Sequence, residues 1–159
     1  MRHGADILTK GMLRESVLHV AAQQGHQAMV IELIRAGAAV DELSPTGNTV
    51  LMMVASNGLV EATRLLLENP IVIDQINLTG GQWRDADGLI HPSTALFRAA
   101  ANGHEHVVEL LVQAGARIDA ISEHGATALA VARQNGHVRT ADRLRFHGAD
   151  LIYASLQDW

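Results

Sequence analysis

The stretch STALFRAAANGHEHVVELLVQAGARID, residues 93–119, decides the fold because the chain of 159 residues carries it in four related copies. The other copies are ESVLHVAAQQGHQAMVIELIRAGAAVD (15–41), NTVLMMVASNGLVEATRLLLENPIVID (48–74) and ATALAVARQNGHVRTADRLRFHGADLI (126–152). One leucine marks the same position in every copy, at spacings of 33, 45 and 33 residues: Leu18, Leu51, Leu96 and Leu129. Self-similarity at such a period indicates a row of small stacked units.

Each copy predicts two short helices. A serine or threonine hydroxyl can cap the first helix by accepting backbone N–H bonds, and a glycine seven residues after the leucine can end it. The second helix carries an apolar stripe, and neither helix is long enough to be stable alone, so stacking must bury the stripes. The capping residues are Ser16, Thr49, Thr94 and Thr127, the inter-helix glycines are Gly25, Gly58, Gly103 and Gly136, and Gly37, Gly115 and Gly148 end second helices.

The shared pattern G-x-T-x-L…A-x-x-x-G-H…LL…G-A-x-[VI]-D resembles the ankyrin repeat over nearly the whole chain. The resemblance implies an all-α repeat solenoid of stacked helix–turn–helix units joined by β-hairpin fingers. Extended dipeptides are expected to lead into finger turns around Gly47 or Gly125: Val40-Asp41, Ile73-Asp74 and Ile118-Asp119. We expect one domain with a partial leading repeat (1–14), repeat 1 (15–47), repeat 2 (48–78), an inserted finger (79–92), repeat 3 (93–125) and a C-terminal capping repeat (126–159).

Departures from the family pattern bear on local structure. The proline that usually follows the capping threonine is absent from every copy, so the first turn loses some preorganisation. The histidine of the capping motif survives only as His19, so a hydroxyl–histidine hydrogen bond is expected in the first copy alone. Asn69-Pro70 replaces the Gly-Ala pair of the second copy, and a less regular connection is expected after it.

The second interval exceeds the others by 12 residues, and the surplus falls in GGQWRDADGLIH, residues 80–91. The turn residues Asp85-Ala86-Asp87-Gly88 predict an extended β-hairpin hinged at Gly80-Gly81, with a flexible loop as the alternative. A calcium loop is disfavoured, because Leu89 and Ile90 stand where an oxygen ligand and the turn glycine belong.

Two uses of this insertion remain open. In the first interpretation, the insertion is a tolerated surface loop with Trp83 folded back onto Ile76 or Leu78, because long loops cost little entropy. Alternatively, Trp83 and Arg84 anchor a partner, because exposed tryptophan and arginine dominate binding hot spots.

The two ends of the repeat array differ. His3-Gly4-Ala5-Asp6-Ile7 nearly repeats the segment 147–151 that closes the last copy, yet no helices precede it, so the stripe of repeat 1 is expected to be only partly covered. That end predicts contact with a missing repeat or self-association with a second copy. The stripe residues are Met29, Val30, Leu33 and Ile34; the polar outer face of the opposite, capping end is Arg139, Asp142, Arg143 and Arg145, with Tyr153 or Trp159 expected to fold over it.

Composition and charge exclude several partner classes. The net charge of −5 opposes nucleic-acid and anionic-membrane partners, which need clustered positive charge. The chain has no cysteine, and no stretch approaches the roughly 20 apolar residues that span a bilayer. With no apolar core of signal-peptide length near Met1, we expect a soluble, cytoplasmic protein.

Catalytic chemistry is not expected. The repeat pattern accounts for six of the nine histidines, and His104 and His106 lie two residues apart, on different sides of a helix. A metal site of His91 with Asp85 and Asp87, and a small enzyme built on it, is the least favoured alternative. No nucleophile elbow, phosphate loop or HExxH motif occurs, so we expect no enzymatic activity and no cofactor.

The resemblance implies a protein-binding module whose partner docks on a concave surface of finger tips and first-helix ends. The matching residues are mostly polar and uncharged, and we expect them to have no structural task in the repeat, which leaves them for recognition or solubility. The candidate binding residues, with those of the insertion, are Gln23, Gln24, Pro45, Thr46, Asn48, Ser56, Asn57, Trp83, Arg84, Asn102, Glu123, His124, Gln134 and Asn135. The alternative is a scaffold or regulatory segment of a larger polypeptide whose activity lies elsewhere.

Overall fold

A computed structural model describes residues 16–84, 90–122 and 125–149, with the backbone alone for residues 81–84 and 90–92. In these ranges eight of nine helices form four pairs, the ninth is a single short helix, and two strands complete the set. The elements are α1 (Val17–Gln23), α2 (Gln27–Arg35), α3 (Val50–Ser56), α4 (Val60–Leu67), α5 (Pro70–Asp74), β1 (Gly80–Arg84), β2 (Ile90–Ser93), α6 (Ala95–Ala101), α7 (Glu105–Gln113), α8 (Ala128–Gln134) and α9 (Val138–Phe146). The predicted all-α repeat solenoid is confirmed.

The first helix of every repeat begins at the predicted hydroxyl cap. The Thr94 hydroxyl accepts a hydrogen bond from the Phe97 backbone N–H at 3.1 Å, and Ser16, Thr49 and Thr127 make the equivalent bond. Only repeat 1 adds the predicted histidine bond: Ser16 Oγ lies 2.7 Å from His19 Nδ1, while Nε2 donates to the Glu42 carbonyl at 3.1 Å. Each cap satisfies a backbone donor that a short helix would otherwise leave free.

Two of the inter-helix glycines, Gly58 and Gly103, serve two purposes. Gly58 and Gly103 adopt φ angles of 67° and 75°, the left-handed region that glycine populates at little cost. A Cβ on Gly58 would lie 2.5 Å from Nδ1 of His104, and a Cβ on Gly103 would lie 2.6 Å from Nδ1 of His137. The glycine of one repeat therefore also makes room for the histidine of the next.

Stacking of the repeats buries the core. First helices pack on first helices along the series α1, α3, α6 and α8, and second helices pack along α2, α4, α7 and α9. The four marker leucines, Leu18, Leu51, Leu96 and Leu129, are all buried, and small alanines such as Ala99 and Ala100 let the helices approach closely. Burying one leucine side chain stabilises the fold by about 1.5–3 kcal/mol.

The connections after the second helices differ from the prediction. Ile73 and Asp74 are not extended, because Asn69 caps an extra helix, α5, by accepting the Ile71 N–H at 3.0 Å, and Pro70 is preorganised for the first helical position. The other two predicted extended dipeptides are also wrong: the chain bends at Val40-Asp41 and turns at Ile118-Asp119.

The flanks of the insertion pair as antiparallel strands. Gly80 is the Cα partner of Ser93, and Trp83 and Arg84 are the partners of His91 and Ile90, with an irregularity between Gly80 and Trp83. The predicted turn Asp85-Ala86-Asp87-Gly88 lies outside the described residues. So do the Trp83 side chain and the tail that carries Tyr153 and Trp159.

Candidate protein-binding surface

The fingers bring the connections of neighbouring repeats together. We call residues 41–48, 75–93 and 117–126 the first, second and third fingers. Gln75 Nε2 donates to the Asp41 carbonyl at 3.4 Å, and the Arg117 backbone N–H donates to Asn77 Oδ1 at 2.7 Å. These bonds join the second finger to the first and the third to the second.

Each finger exposes a large apolar side chain, and we call these three residues the finger row. Leu43, Leu78 and Ile121 are 55%, 41% and 59% exposed, and Thr79, which follows Leu78, lines a narrow cleft with Ile121. One exposed leucine is ordinary, but three on adjacent fingers resemble the apolar part of a protein interface. Sequence reasoning missed this row, although Leu43 and Ile121 stand two residues after an aspartate in equivalent positions.

Several polar candidates are exposed at the first-helix ends and at the tip of the first finger. Gln23 and Gln24 at the end of α1, Gln134 at the end of α8, and Pro45 and Thr46 at the tip of the first finger all face solvent. Glutamine and threonine side chains can both donate and accept hydrogen bonds. This part of the predicted set is thus placed where a partner can reach it.

The expectation that the candidates have no structural task is wrong for the asparagines that follow first helices. Asn57 Nδ2 donates to the Ala22 carbonyl of the preceding repeat at 2.8 Å, and Asn135 Nδ2 donates in the same way to Ala101. Asn102 Nδ2 contacts Ser56 Oγ at 3.3 Å. Because these amides join neighbouring repeats, their identity is explained without a partner.

Asn48 is also structural. It is buried in the first finger, where its side-chain Nδ2 donates to Thr46 Oγ1 at 2.9 Å and its backbone N–H donates to Ser44 Oγ at 3.0 Å. Among the remaining candidates, Glu123 and His124 lie outside the described residues, and Trp83 and Arg84 are placed only by their backbone in β1.

Sequence reasoning missed Arg98, a buried cation beneath the second finger. Only 4% of it is exposed, and its guanidinium donates to Ser93 Oγ at 2.9 Å, Asn48 Oδ1 at 2.7 Å and the Gly80 carbonyl at 2.6 Å. Burial lowers the pKa of Arg98 to about 10, which still leaves it charged at neutral pH. Its signal in the sequence is that the equivalent positions are apolar: Val20, Met53 and Val131.

A groove of about 540 Å³ lies where α7 and α9 begin, and histidines line it. His104 Nε2 donates to the Ser56 carbonyl and His137 Nε2 to the Ala101 carbonyl, each at 3.0 Å, so both rings bridge neighbouring repeats. Within residues 16–84, 90–122 and 125–149, no three His, Cys, Asp or Glu side chains are grouped to hold a metal ion. The groove is therefore explained by repeat packing.

A profile of ankyrin repeats matches residues 2–79 and again residues 76–154. The chain belongs to the ankyrin repeat family. Ankyrin repeats are generally protein-interaction modules and are generally non-catalytic. None of the ankyrin helices in the described ranges is long and apolar enough to cross a lipid bilayer.

Similar ankyrin stretches occur in much longer proteins. An ankyrin repeat and KH domain-containing protein of Caenorhabditis briggsae is 34% identical over 137 residues, which are 86% of this chain and 5% of that protein. The human transient receptor potential cation channel subfamily A member 1 is 32% identical over 124 residues, or 77% of this chain and 10% of the channel. The glycerophosphocholine phosphodiesterase gde1 of Schizosaccharomyces pombe is 31% identical over 123 residues, or 76% of this chain and 10% of that protein.

The first ankyrin repeat exposes positions that the other repeats bury. Met29 is 53% exposed, whereas its equivalents Ala62, Val107 and Thr140 are buried. Val17 and Val20 of α1 are exposed in the same way, although their equivalents in α3, α6 and α8 are buried. In repeats 2, 3 and 4 the helix pair of the preceding repeat packs against these positions.

The last ankyrin repeat is held by charged groups. Glu109 of α7 lies 2.9 Å from Nε2 of His147 and 3.4 Å from Nε of Arg143, and Gln113 donates to its other oxygen at 2.6 Å. The hydrogen bond from His147, aided by the nearby positive charges, holds the pKa of Glu109 below its ordinary value. Arg139, Asp142, Arg143 and Arg145 are all exposed.

Proposed function

We propose that this ankyrin domain is a non-catalytic module that binds a partner protein on the surface formed by the fingers and the adjacent ends of the first helices. The observation that carries the proposal is the finger row, three exposed apolar side chains on joined fingers. Exposed glutamines at the first-helix ends supply hydrogen-bonding groups of the kind found around an apolar interface centre. The partner's identity is open, because a repeat scaffold presents many different ligands.

The test compares substitutions in the finger row with a matched substitution elsewhere. Leu43→Asp and Ile121→Asp place a charge in the proposed interface, while Val138→Asp places the same charge on α9, at an exposed valine of the capping repeat. Quantitative pull-down followed by affinity measurement on the purified partner should show at least about a tenfold loss for the finger variants, since a buried unpaired charge costs more than 1.4 kcal/mol. Equal affinity of all three variants would overturn the proposal.

The inserted finger is proposed to add to this surface as a thumb, with Trp83 and Arg84 as its contact residues. Its backbone pairs as β1 and β2 directly after Leu78, which supports a position beside the finger row. Replacing residues 80–91 by a short turn should weaken partner binding. Unchanged affinity would leave the insertion as a tolerated surface excursion.

A second candidate function is that of a scaffold or regulatory segment in a larger polypeptide. The lengths of the relatives support it, because this chain spans only 5–10% of the three proteins described above. The reading frame upstream of Met1 tests it: further repeats or a catalytic domain would support the proposal, and a stop codon would oppose it.

The exposed end of repeat 1 is proposed to make a further protein contact, either with another repeat or with a second copy of the chain. Val17, Val20 and Met29 supply the apolar surface. Sedimentation velocity over a range of concentrations tests self-association, and a Met29→Glu variant that sediments as the wild type at every concentration would exclude it.

The cytoplasmic location stays a prediction, which imaging of the tagged chain tests.

A further inference from the structure

We propose that Arg98 is a positioning residue that fixes the inserted hairpin against the first finger. Its guanidinium donates hydrogen bonds to both strands at one pair of opposite residues, because Ser93 of β2 and Gly80 of β1 are Cα partners. The same Nη2 that donates to the Gly80 carbonyl also donates to Asn48 Oδ1 in the first finger. One side chain thus joins both strands of the hairpin to the first finger.

The base of the hairpin also packs directly on the first finger. A Cβ added to Gly80 would meet the Gly47 carbonyl oxygen, so only glycine allows the two backbones to approach this closely. The contact explains why the insertion begins with glycine, and it places the Gly80 carbonyl within reach of Arg98. Gly80, one of the two residues for which the sequence predicts a hinge, therefore packs directly against the first finger.

The repeat fold itself does not require a charge at this position. Val20, Met53 and Val131 are the equivalents of Arg98, and Met53 and Val131 are buried as Arg98 is. Arg98 belongs to the one repeat that follows the insertion. Its acceptors lie in the insertion and in the finger against which the insertion packs, so we assign the arginine to the insertion.

The chemistry of the guanidinium suits this role. Among the described residues Arg98 forms no ion pair, and its acceptors are a hydroxyl, an amide oxygen and a carbonyl oxygen. A planar guanidinium holds several donors in a fixed arrangement, whereas a lysine ammonium is a point charge on a flexible stem. Hydrogen bonds from a charged group to neutral acceptors can therefore set the orientation of the hairpin without a carboxylate.

The consequence for recognition depends on the proposed function. If the hairpin is a thumb beside the finger row, a fixed hairpin lowers the ordering cost of binding, because the contact residues are already held in place. The positioning role itself is a property of the free chain and is measured without a partner.

The experiment is residue-resolved hydrogen exchange on the full chain and its Arg98→Met variant, which carries the residue that repeat 2 has at this position. Losing two charge-assisted bonds to the hairpin should accelerate exchange of the protected amides in β1 and β2 by at least about tenfold, which corresponds to about 1.4 kcal/mol. Amides of α8 and of the third finger are the internal control and should keep their wild-type rates. Unchanged exchange in the hairpin, or equal acceleration throughout the chain, would overturn the proposal.

Two further variants separate geometry from charge and from folding. Arg98→Lys keeps a cation but loses the planar donor arrangement, so its hairpin should exchange nearly as fast as that of Arg98→Met; a wild-type rate would contradict the geometric argument. Ser93→Ala keeps Arg98 and removes one acceptor, so it should accelerate hairpin exchange by a smaller factor even if Arg98→Met fails to fold. No acceleration in Ser93→Ala would count against the proposal.

The positioning role and the proposed function fail in different ways. Wild-type exchange in the hairpin of Arg98→Met refutes the positioning role, whether or not a partner binds. Faster exchange with unchanged partner affinity keeps the positioning role and rejects the thumb.

Discussion

Replacing Leu111 with alanine tests how strongly one repeat depends on its neighbours. Leu111 of α7 is fully buried between repeats, whereas Leu33, at the same repeat position in α2, is only partly buried at the exposed end. A leucine-to-alanine change at a buried site removes transfer energy and leaves a cavity, at a typical cost of about 2.7–5 kcal/mol. We expect the free energy of unfolding to fall by about 3 kcal/mol for Leu111→Ala and by about 1 kcal/mol for Leu33→Ala. The second loss is smaller because a partly exposed side chain buries less apolar area and the surrounding residues close its cavity more easily.

Urea unfolding followed by circular dichroism measures both values. With a denaturant slope of about 2 kcal/mol per molar urea, the midpoint should fall by about 1.5 M for Leu111→Ala and about 0.5 M for Leu33→Ala. Leu43→Ala, in the exposed finger row, is the control and should change stability by less than about 0.5 kcal/mol. Equal losses of unfolding free energy in the two variants would refute the reasoning, since they would mean that a neighbouring repeat on each side adds no stability at this position.

Three further predictions concern local features. Thr94→Ala removes the cap of α6 and should cost about 1 kcal/mol in urea unfolding; no loss would show that the hydroxyl bond is dispensable. Gly58→Ala combines a φ of 67° with a clash against His104 and should cost more than about 1 kcal/mol, while a neutral effect would contradict the packing of that ring. Because the folded-state pKa of Glu109 is depressed, its stabilisation is present at neutral pH and is lost as the pH falls from the ordinary glutamate value through the folded one. The midpoint temperature of thermal unfolding should therefore fall less steeply with decreasing pH for Glu109→Gln than for the wild type. Identical dependence of the two midpoints on pH would exclude this contribution.

Features that repeat in the sequence could be predicted, because each has a local physical cause. The hydroxyl caps, the left-handed glycines and the buried marker leucines follow from helix termini and apolar spacing, and all lie where expected. The bond from the Ser16 hydroxyl to His19 was predictable for the same reason, since only repeat 1 retains both residues.

Features that depend on a neighbouring repeat could not be predicted from the sequence in the same way. The asparagines at 57, 102 and 135 look like free surface residues, yet their amides contact the preceding repeat. Helix α5 was missed because Asn69-Pro70 was interpreted as the loss of a glycine turn, while the same pair is a strong helix start. The role of Arg98 could not be predicted because two of its acceptors, Asn48 and Gly80, lie far from it in the sequence.

The candidate binding surface was predicted in part. Exposed glutamines on first-helix ends were expected, but the finger row was not, because an apolar residue in a repeat is first interpreted as core. Leu43 and Ile121 are exposed whereas Ile76, at the equivalent position of repeat 2, is buried, a difference that spacing does not reveal.

The mutual dependence of the repeats is tested most directly by circular dichroism of a synthetic peptide of residues 93–125, which is repeat 3 without its neighbours. Helices as short as α6 and α7 are marginal in water without packing, and their buried faces contact the adjacent repeats in the full chain. We predict a coil spectrum with no cooperative thermal transition for the peptide, beside a helical spectrum for the full chain. A helical peptide that melts cooperatively would contradict the conclusion that each repeat is folded by its neighbours.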